Sequence, residues 1–554
     1  MVDHGIEIHT TASFSDEGKK EWDNPSGKHY VADGVAHIFD EVSYKNIYEG
    51  EAYILEGELF DKTENKSLGN VVRKEFVPKY DVGIETLEFE QQLDDLDGHD
   101  LVVFETLYHV KDGEEVKVAE HKDLEDEDQT IYVDELYRAD FEIFKVNADD
   151  TQEPLSGVTF HITSHRVKRD GVSEDYDLGE FTTDENGKIF IEKLKEDTVL
   201  TITETKEKDP TWYRWEEPFI FDIGHDSSIT LHSDPIENHQ IKNGTSATFE
   251  ESGNKNYVAD GVAHIIDTVN YEWLYKGDSY KLVATLIDKG TEEEPLEEEV
   301  TTVEHEFTAE GLNGSEDVII KFNLDGYDNH DFVVFEELYR IIEKEDGSKE
   351  EVKVAEHKDI EDDDQTVHVD ELYRAAMVLY KIGNGNKDIK LNGAYFNVTT
   401  KRTKRDGTLV EKDLGTYVTG GILIERDAAF RATVYSDEAL TNSIRSVESS
   451  YDSNLKKQAV TLLSLPEGEY WVKVEGEEDA KKYEVSKGTI VLFDQPEDTE
   501  VTFTELVAPA GYYIDRKPFI VNVGHNHELE RVENYRSNSL IIITNRIPDT
   551  GYDG

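Results

Sequence analysis

Cysteine is absent from all 554 residues, which excludes a disulfide framework and thiolate metal sites in any compartment. No run of 18 apolar residues occurs, so no segment reads as a membrane-spanning helix. The opening residues Met1-Val2-Asp3-His4 lack the basic and apolar regions of a signal peptide; an exported protein is expected to carry its targeting segments outside this stretch. Basic side chains are scarce, 57 against 124 acidic ones, for a formal net charge of −67. Such a chain repels nucleic acid and anionic membranes, and its acidity reads either as a plain solvated surface or as adaptation to an exposed one. Helical periodicity is missing too, except over about 437–458.

What is present argues for folded β-structure. The chain holds 28 Tyr, 23 Phe and many β-branched residues, ample core material that excludes disorder for most of it. Its length predicts three or four domains. Internal repeats define them. Tyr30-Val31-Ala32-Asp33-Gly34-Val35-Ala36-His37-Ile38 recurs as Tyr257 through Ile265, and Val102-Val103-Phe104-Glu105 as Val333 through Glu336. Glu115 through Asp123 returns, residue for residue, as Glu351 through Asp359, and each copy runs on through an acidic loop to Gln-Thr and Asp-Glu-Leu-Tyr-Arg. A second kind of unit follows each: Lys168-Arg169-Asp170-Gly171 recurs as Lys404 through Gly407, and Pro218-Phe219-Ile220 as Pro518 through Ile520. The order is A-B-A-B, with A1 at 1–138, B1 at 139–241, A2 at 242–374 and B2 at 375–548, B2 carrying an insertion over about 426–485. Short period-2 segments bounded by Gly, Asp and Asn turns predict an all-β chain of tandem antiparallel Greek-key sandwiches of immunoglobulin-like type, strung into a rod.

Alternation also places polar side chains on core faces. In B1, Lys145 shares a face with Phe141 and Ile143, Glu204 with Leu200 and Ile202, and Asn238 with Ile236. In B2 the same reading selects Lys381, Glu505 and Asn545. An unpaired buried charge costs several kcal/mol, so a core lysine needs a reason. It is either a satisfied Lys–Glu pair bridged by Asn, or a desolvated, neutral amine that attacks the carboxamide while a protonated Glu polarises it. In A1, Thr10 shares a face with Ile6 and Ile8, Asp40 with Ile38 and Val42, Glu105 with Val103 and Leu107, and Gln129 with Ile131 and Val133; A2 offers Thr245, Asp267, Glu336 and Gln365. With His121 and His357 these are the parts of an acyl transfer, although Thr and Gln are also ordinary strand-end residues and a lone His is usually a surface one.

The B-unit residues resemble Cna-B (SpaA-type) domains of Gram-positive surface proteins: Lys in the opening strand, then Pro154-Leu155-Ser156-Gly157-Val158-Thr159-Phe160, and Ala508-Pro509-Ala510-Gly511-Tyr512 after Glu505. The resemblance implies Lys145–Asn238 and Lys381–Asn545 isopeptide bonds, with Glu204 and Glu505 as catalysts. B1 departs from the pattern after Glu204, where Lys208-Asp209-Pro210-Thr211-Trp212-Tyr213 follows. The A units, with Val-Val-Phe-Glu and a His followed eight residues later by Gln-Thr, resemble ester-bond (VaFE-repeat) domains. That implies Thr10 esterified to Gln129 with Asp40, Glu105 and His121 assisting, and Thr245 to Gln365 with Asp267, Glu336 and His357. Thr11 and Ser246 are the neighbouring alternatives. Ile547-Pro548-Asp549-Thr550-Gly551 resembles a sortase sorting motif with Ile for Leu, which implies sortase and cell-wall peptidoglycan as partners and an extracellular, wall-anchored location; family signals continue into an apolar span and a basic tail.

The function expected is a structural stalk or adhesin segment stiffened by autocatalytic cross-links, each made once, with no cofactor and no metal. A host ligand is left unspecified. A polymerising pilin would need an acceptor lysine, for which Val77-Pro78-Lys79 is a faint candidate; an acyl-transfer enzyme would use the same clusters on an outside substrate. Asp94-Asp95-Leu96-Asp97-Gly98-His99-Asp100 is acidic but lacks EF-hand spacing, and reads as a solvated loop.

Overall fold

The protein is described by a computed structural model covering residues 5–15, 27–225, 230–344 and 346–540. Every regular element among them is a strand. Two compact units make up the chain, one chiefly 1–242 and the other chiefly 243–554. Each contains an A domain followed by a B domain.

A1 packs a three-stranded sheet, in the order Glu7–Phe14, Val35–Lys45, Val82–Gln92, against a six-stranded one. The latter runs His29–Val31, Thr130–Asp134, Asp100–Lys111, Ala52–Asp61, Lys66–Phe76, with Glu114–His121 also pairing Asp100–Lys111. Alternation decides what each strand buries. Glu7–Phe14 turns Ile8, Thr10, Ala12 and Phe14 inward, leaving Thr11 exposed. Val35–Lys45 turns in Ala36, Ile38, Asp40, Val42 and Tyr44. Between the sheets, Gly57 lies opposite Glu105, and a Cβ there would sit 2.5 Å from a Leu87 methyl, so the close approach needs glycine. A2 repeats the two-sheet plan with Lys242–Phe249, Val262–Glu272 and Gly314–Asn323 on one side.

B1 is a sandwich of Lys188–Lys195, Arg138–Asn147, Leu231–His232 and Ile236–Asn238 against Ser173–Thr182, Thr159–Val167, Val199–Lys206 and Phe219–Asp222. Its core is Phe141, Ile143, Phe160, Ile162, Leu200, Ile202 and their neighbours. B2 has the same plan, with Arg374–Gly383 flanked by Thr489–Pro496 and Arg531–Asn538.

Most pairings are antiparallel, as expected, but some are parallel: Arg138–Asn147 with Ile236–Asn238, Arg374–Gly383 with Arg531–Asn538, and His29–Val31 with Thr130–Asp134. Period-2 alternation is identical in either direction, so the sequence carries no signal for this. The residues 437–458 are not helical; they contain the strands Ser443–Glu448 and Ser450–Asp452. They belong to a block, Ile422–Arg426 through Ala480–Val485, that forms two further small sheets. Its Ile422, Ile424, Val434, Val460 and Val472 join Met377, Leu379, Phe396 and Phe503 of B2 in one apolar core, so the insertion is no separate lobe.

Candidate cross-linking sites

In A1 the inward-facing Thr10, Asp40, Glu105 and Gln129 converge, all buried. The Thr10 hydroxyl donates to Asp40 Oδ1 and lies 3.3 Å from Glu105 Oε1. The Gln129 carboxamide nitrogen donates to Val103 C=O at 2.8 Å and to Glu105 Oε2. Backbone pairing sets this up: Ala12 N–H donates to Asp128 C=O (2.9 Å), bringing the strand of Thr10 against the residue before Gln129. Lys28 Nζ secures the same junction, donating to Ala12 C=O and Asp128 C=O, both at 2.7 Å. Gln129 Oε1 has no hydrogen-bond partner among the described residues. Leaving a buried carbonyl unpaired costs about 1–3 kcal/mol, an unusual arrangement for an inert core.

The two carboxyls differ in charge state. Burial, and then the charge of Asp40, push Glu105 up to about 11, so it keeps its proton. Burial raises Asp40 as well, opposed by hydrogen bonds with Thr10 and Glu105 and by the charges of His121 and Lys28. Like carboxyls in contact hold one proton between them.

A2 holds the same residue set without the carboxyl–carboxamide contact of A1, neither Glu336 oxygen having a hydrogen-bond partner among the described residues. Thr245 donates to Asp267, Ser246 faces outward, and Gln365 and Glu336 are fully buried. Burial, then Asp267, raise Glu336 to about 11, and neither polar atom of the Gln365 carboxamide has a partner among the described residues.

The histidines sit beside the clusters. His121 pairs with Glu105 in the strand register, but its Nε2 is bonded to Asp126 at 2.8 Å, and the partners of the Thr10 hydroxyl are carboxyls. His357 binds Asp362 in the same way. Asp126 and Asp362, overlooked in the sequence, sit five residues beyond each His in both copies; the duplication was the available signal.

In B1, Lys145, Glu204 and Asn238 are buried together. Lys145 Nζ lies 2.6 Å from Asn238 Oδ1 and 3.5 Å from Glu204, while Asn238 Nδ2 donates to Glu204 Oε1 at 2.6 Å. Burial, only partly offset by Glu204, lowers the Lys145 amine to about 8, and burial raises Glu204. The Phe160 ring lies 5.9 Å from the amine.

B2 requires a correction. Asn545 lies outside the described residues, as do Ile547, Pro548, Asp549, Thr550 and Gly551. The asparagine beside Lys381 and Glu505 is Asn538: its Oδ1 accepts from Lys381, and its Nδ2 donates to Glu505 at 2.9 and 3.1 Å. The apolar alternation Ile541-Ile543 drew the reading to Asn545, whereas the closing strand is the polar Arg531–Asn538. Asn538 follows Asn238 by the same 300 positions that separate the two Pro-Phe-Ile copies, so the repeat offset marks it in the sequence. Lys381 is lowered by burial against the opposing pull of Glu505.

Glu497, Asp498 and His525 also converge, but Glu497 is engaged by Arg405 (2.7 Å) and His525 (2.8 Å), and His525 bonds Asp498 at 2.9 Å, which accounts for the group as ion pairs.

Comparison with known proteins gives family matches for most of these domains. Residues 6–133 and 242–369 each match the T-Q ester bond containing domain, and residues 139–235 match the SpaA prealbumin-like fold domain. No curated protein matches. Solved structures similar to this chain include a Mobiluncus mulieris adhesin containing intramolecular disulfide, isopeptide and ester bond cross-links, at 16% identity over 43% of this chain and 99% of that one, with a TM-score of 0.24. They also include BcpA, the major pilin subunit of Bacillus cereus (13%, 73% and 99%, 0.25), and the major pilin SpaD of Corynebacterium diphtheriae (13%, 73% and 98%, 0.22). By the family matches, the first and third domains of this chain belong to the T-Q ester bond containing family and the second to the SpaA prealbumin-like family.

Proposed function

We propose that the chain is a load-bearing stalk or adhesin segment of a Gram-positive cell-surface protein, anchored by sortase to peptidoglycan, in which four units (1–138, 139–241, 242–374 and 375–548) each close on themselves with one covalent bond. The observation that carries this reading is the fourfold recurrence of a buried nucleophile, carboxamide and carboxyl set in the opening and closing segments of a β-sandwich.

In A1, Asp40 takes the Thr10 proton as Oγ1 attacks the Gln129 carbonyl carbon. Glu105, touching the carboxamide nitrogen, gives its proton to that leaving group. An ester and one ammonia result, with the Asp40 proton able to restore Glu105 across their shared contact. His121, held by Asp126, positions the strand beside Glu105. A2 uses Thr245, Asp267, Glu336 and Gln365 likewise. In B1, neutral Lys145 attacks the Asn238 carboxamide carbon, Glu204 gives its proton to the departing nitrogen and takes one back from the Lys145 nitrogen, and an amide and one ammonia result; B2 uses Lys381, Glu505 and Asn538. Each reaction consumes its own carboxamide, so turnover ends at one event.

The test is mass. Each bond removes one ammonia, about 17 Da, so tryptic mapping should find Thr10–Gln129, Lys145–Asn238, Thr245–Gln365 and Lys381–Asn538 as joined peptides. Recovery of all four pairs unjoined from folded protein overturns the reading.

A further inference from the structure

Two repeated motifs take no part in the cross-links: Tyr-Val-Ala-Asp-Gly in each A domain and Arg-x-Lys-Arg-Asp-Gly in each B domain. The structure brings them together within each unit. Asp33 of A1 is buried and accepts a two-pronged hydrogen bond from Arg166 of B1, at 2.8 and 2.6 Å, plus the Arg169 backbone N–H at 3.1 Å. Arg166 is fixed from behind, its Nε donating to Glu196 C=O at 2.8 Å, and Arg169 is fixed by Glu196 at 2.7 Å. In return Asp170 of B1 accepts from the Val35 N–H of A1 at 2.9 Å, and Asp94 accepts from both Gly34 N–H and Lys168 Nζ.

The second unit reproduces this atom for atom. Arg402 grips Asp260 at 2.8 and 2.6 Å, Arg405 N–H reaches it at 3.1 Å, Asp406 accepts from Val262 N–H at 2.9 Å, and Lys404 pairs with Asp325. Glycine is required at the seam: Gly34 and Gly261 have φ of +81° and +85°, and a Cβ on either would lie 2.5 or 2.6 Å from the Asp170 or Asp406 carboxyl carbon. The connectors are pinned too. Leu136 and Leu372 are buried, with N–H groups donating to Asp97 (3.1 Å) and Asp328 (2.9 Å), and Tyr137 and Tyr373 C=O accept from Glu196 and Glu497 N–H, both at 2.9 Å.

A planar guanidinium held by two carboxylate oxygens, with its Nε bonded to a backbone carbonyl as well, has one orientation rather than many. A flexible tether between freely moving domains needs none of this, and chance packing would not recur in both copies.

We propose that the acidic seam of each A domain is a docking surface made for the Arg-x-Lys-Arg-Asp-Gly loop of the B domain that follows it, and that the joint locks each A–B pair into one rigid body. Tension leaving the ester-bond domain then enters the next domain without passing through a hinge, and an A domain is matched to what stands behind it.

The absence of cysteine makes the test clean. In the full chain, Lys66→Cys and Glu192→Cys place spin labels on exposed strand positions of A1 and B1. Pulsed dipolar spectroscopy should give a single narrow distance distribution for the otherwise native chain. Asp33→Asn combined with Asp94→Asn should at least double its width while the A1 and B1 mass deficits persist, proving both domains folded. Should that variant lose a deficit, Lys168→Ala with Asp170→Ala, which alters only partly exposed loop side chains, gives the same readout. A broad distribution in the native background, or an unchanged width in folded variants, overturns the proposal.

Discussion

Thr10 is an ordinary hydroxyl, and the groups bonded to it that could activate it for the proposed attack are the two carboxyls Asp40 and Glu105. Replacing it with alanine should restore about 17 Da to A1 and leave A2, B1 and B2 unchanged, because each site consumes only its own carboxamide. The same variant exposes the cost of the buried pair. Glu105 is raised to about 11, so the folded state keeps a proton that the unfolded chain surrenders above its ordinary value. Stability of unlinked A1 should therefore be greatest near pH 5 and fall as pH rises toward 11, by at most about 1.4 kcal/mol per pH unit for one proton. Calorimetry of Thr10→Ala from pH 5 to 9 should show the A1 transition moving down, and adding Glu105→Gln should flatten it; a pH-independent transition in the single variant would contradict the assignment. Lys145 has the opposite sign. It is lowered to about 8, so in an unlinked Asn238→Ala chain B1 should gain stability as pH rises from about 8 toward the usual lysine value, the range in which only the unfolded amine is protonated.

At the scale of elements, the opening and closing strands of each B domain lie side by side and run in the same direction, with Lys and Asn near their shared end. Asn538→Ala should abolish the B2 bond and Asn545→Ala should leave it intact, which peptide mapping of the two variants distinguishes. That error shows what strand patterns do and do not carry. Lys145, Glu204, Thr10, Asp40 and Glu105 were legible because each interrupts an apolar alternation inside a strand whose burial the structure repeats. Asn538 closes a strand, Arg531–Asn538, that is half-exposed and polar, and so has no apolar face for an anomaly to stand out against. Parallel pairing and the Asp126–His121 bond were hidden for a related reason: both depend on which segments meet, and alternation reports only which side of a strand faces in. The insertion is likewise more integrated than its sequence boundaries suggest. Because Val434, Val460 and Val472 complete the core around Met377 and Phe396, deleting 426–485 should lower the melting temperature of B2 while the mass deficits of A1, B1 and A2 persist. Loss of the other three deficits on deletion would contradict the modular arrangement.

For the whole molecule, the proposed bonds would fix how the chain answers tension. In B1 the residues they would join are 93 positions apart, and in B2 157. Closing loops of this size stabilises by on the order of 4–5 kcal/mol by analogy with disulfides. More to the point, with the proposed bonds made, a pull on the ends would pass through Thr10–Gln129 or Lys145–Asn238 and leave the intervening sandwich unloaded. Amide and ester bridges also resist reduction, which suits a chain without cysteine in an exposed place. The two bond types separate chemically, since esters hydrolyse in strong base far faster than amides. The most direct test of the central claim is the intact mass of the full chain at unit accuracy, before and after base. Four bonds predict a mass about 68 Da below that of the sequence; base hydrolyses the two ester links, adding a water to each and leaving glutamate at 129 and 365, so that the deficit falls to about 32 Da while the isopeptides survive. A mass equal to that of the sequence would contradict self-cross-linking altogether, and a deficit of about 34 Da that base leaves unchanged would mean that the buried Thr, Asp, Glu and Gln of the A domains form no bond.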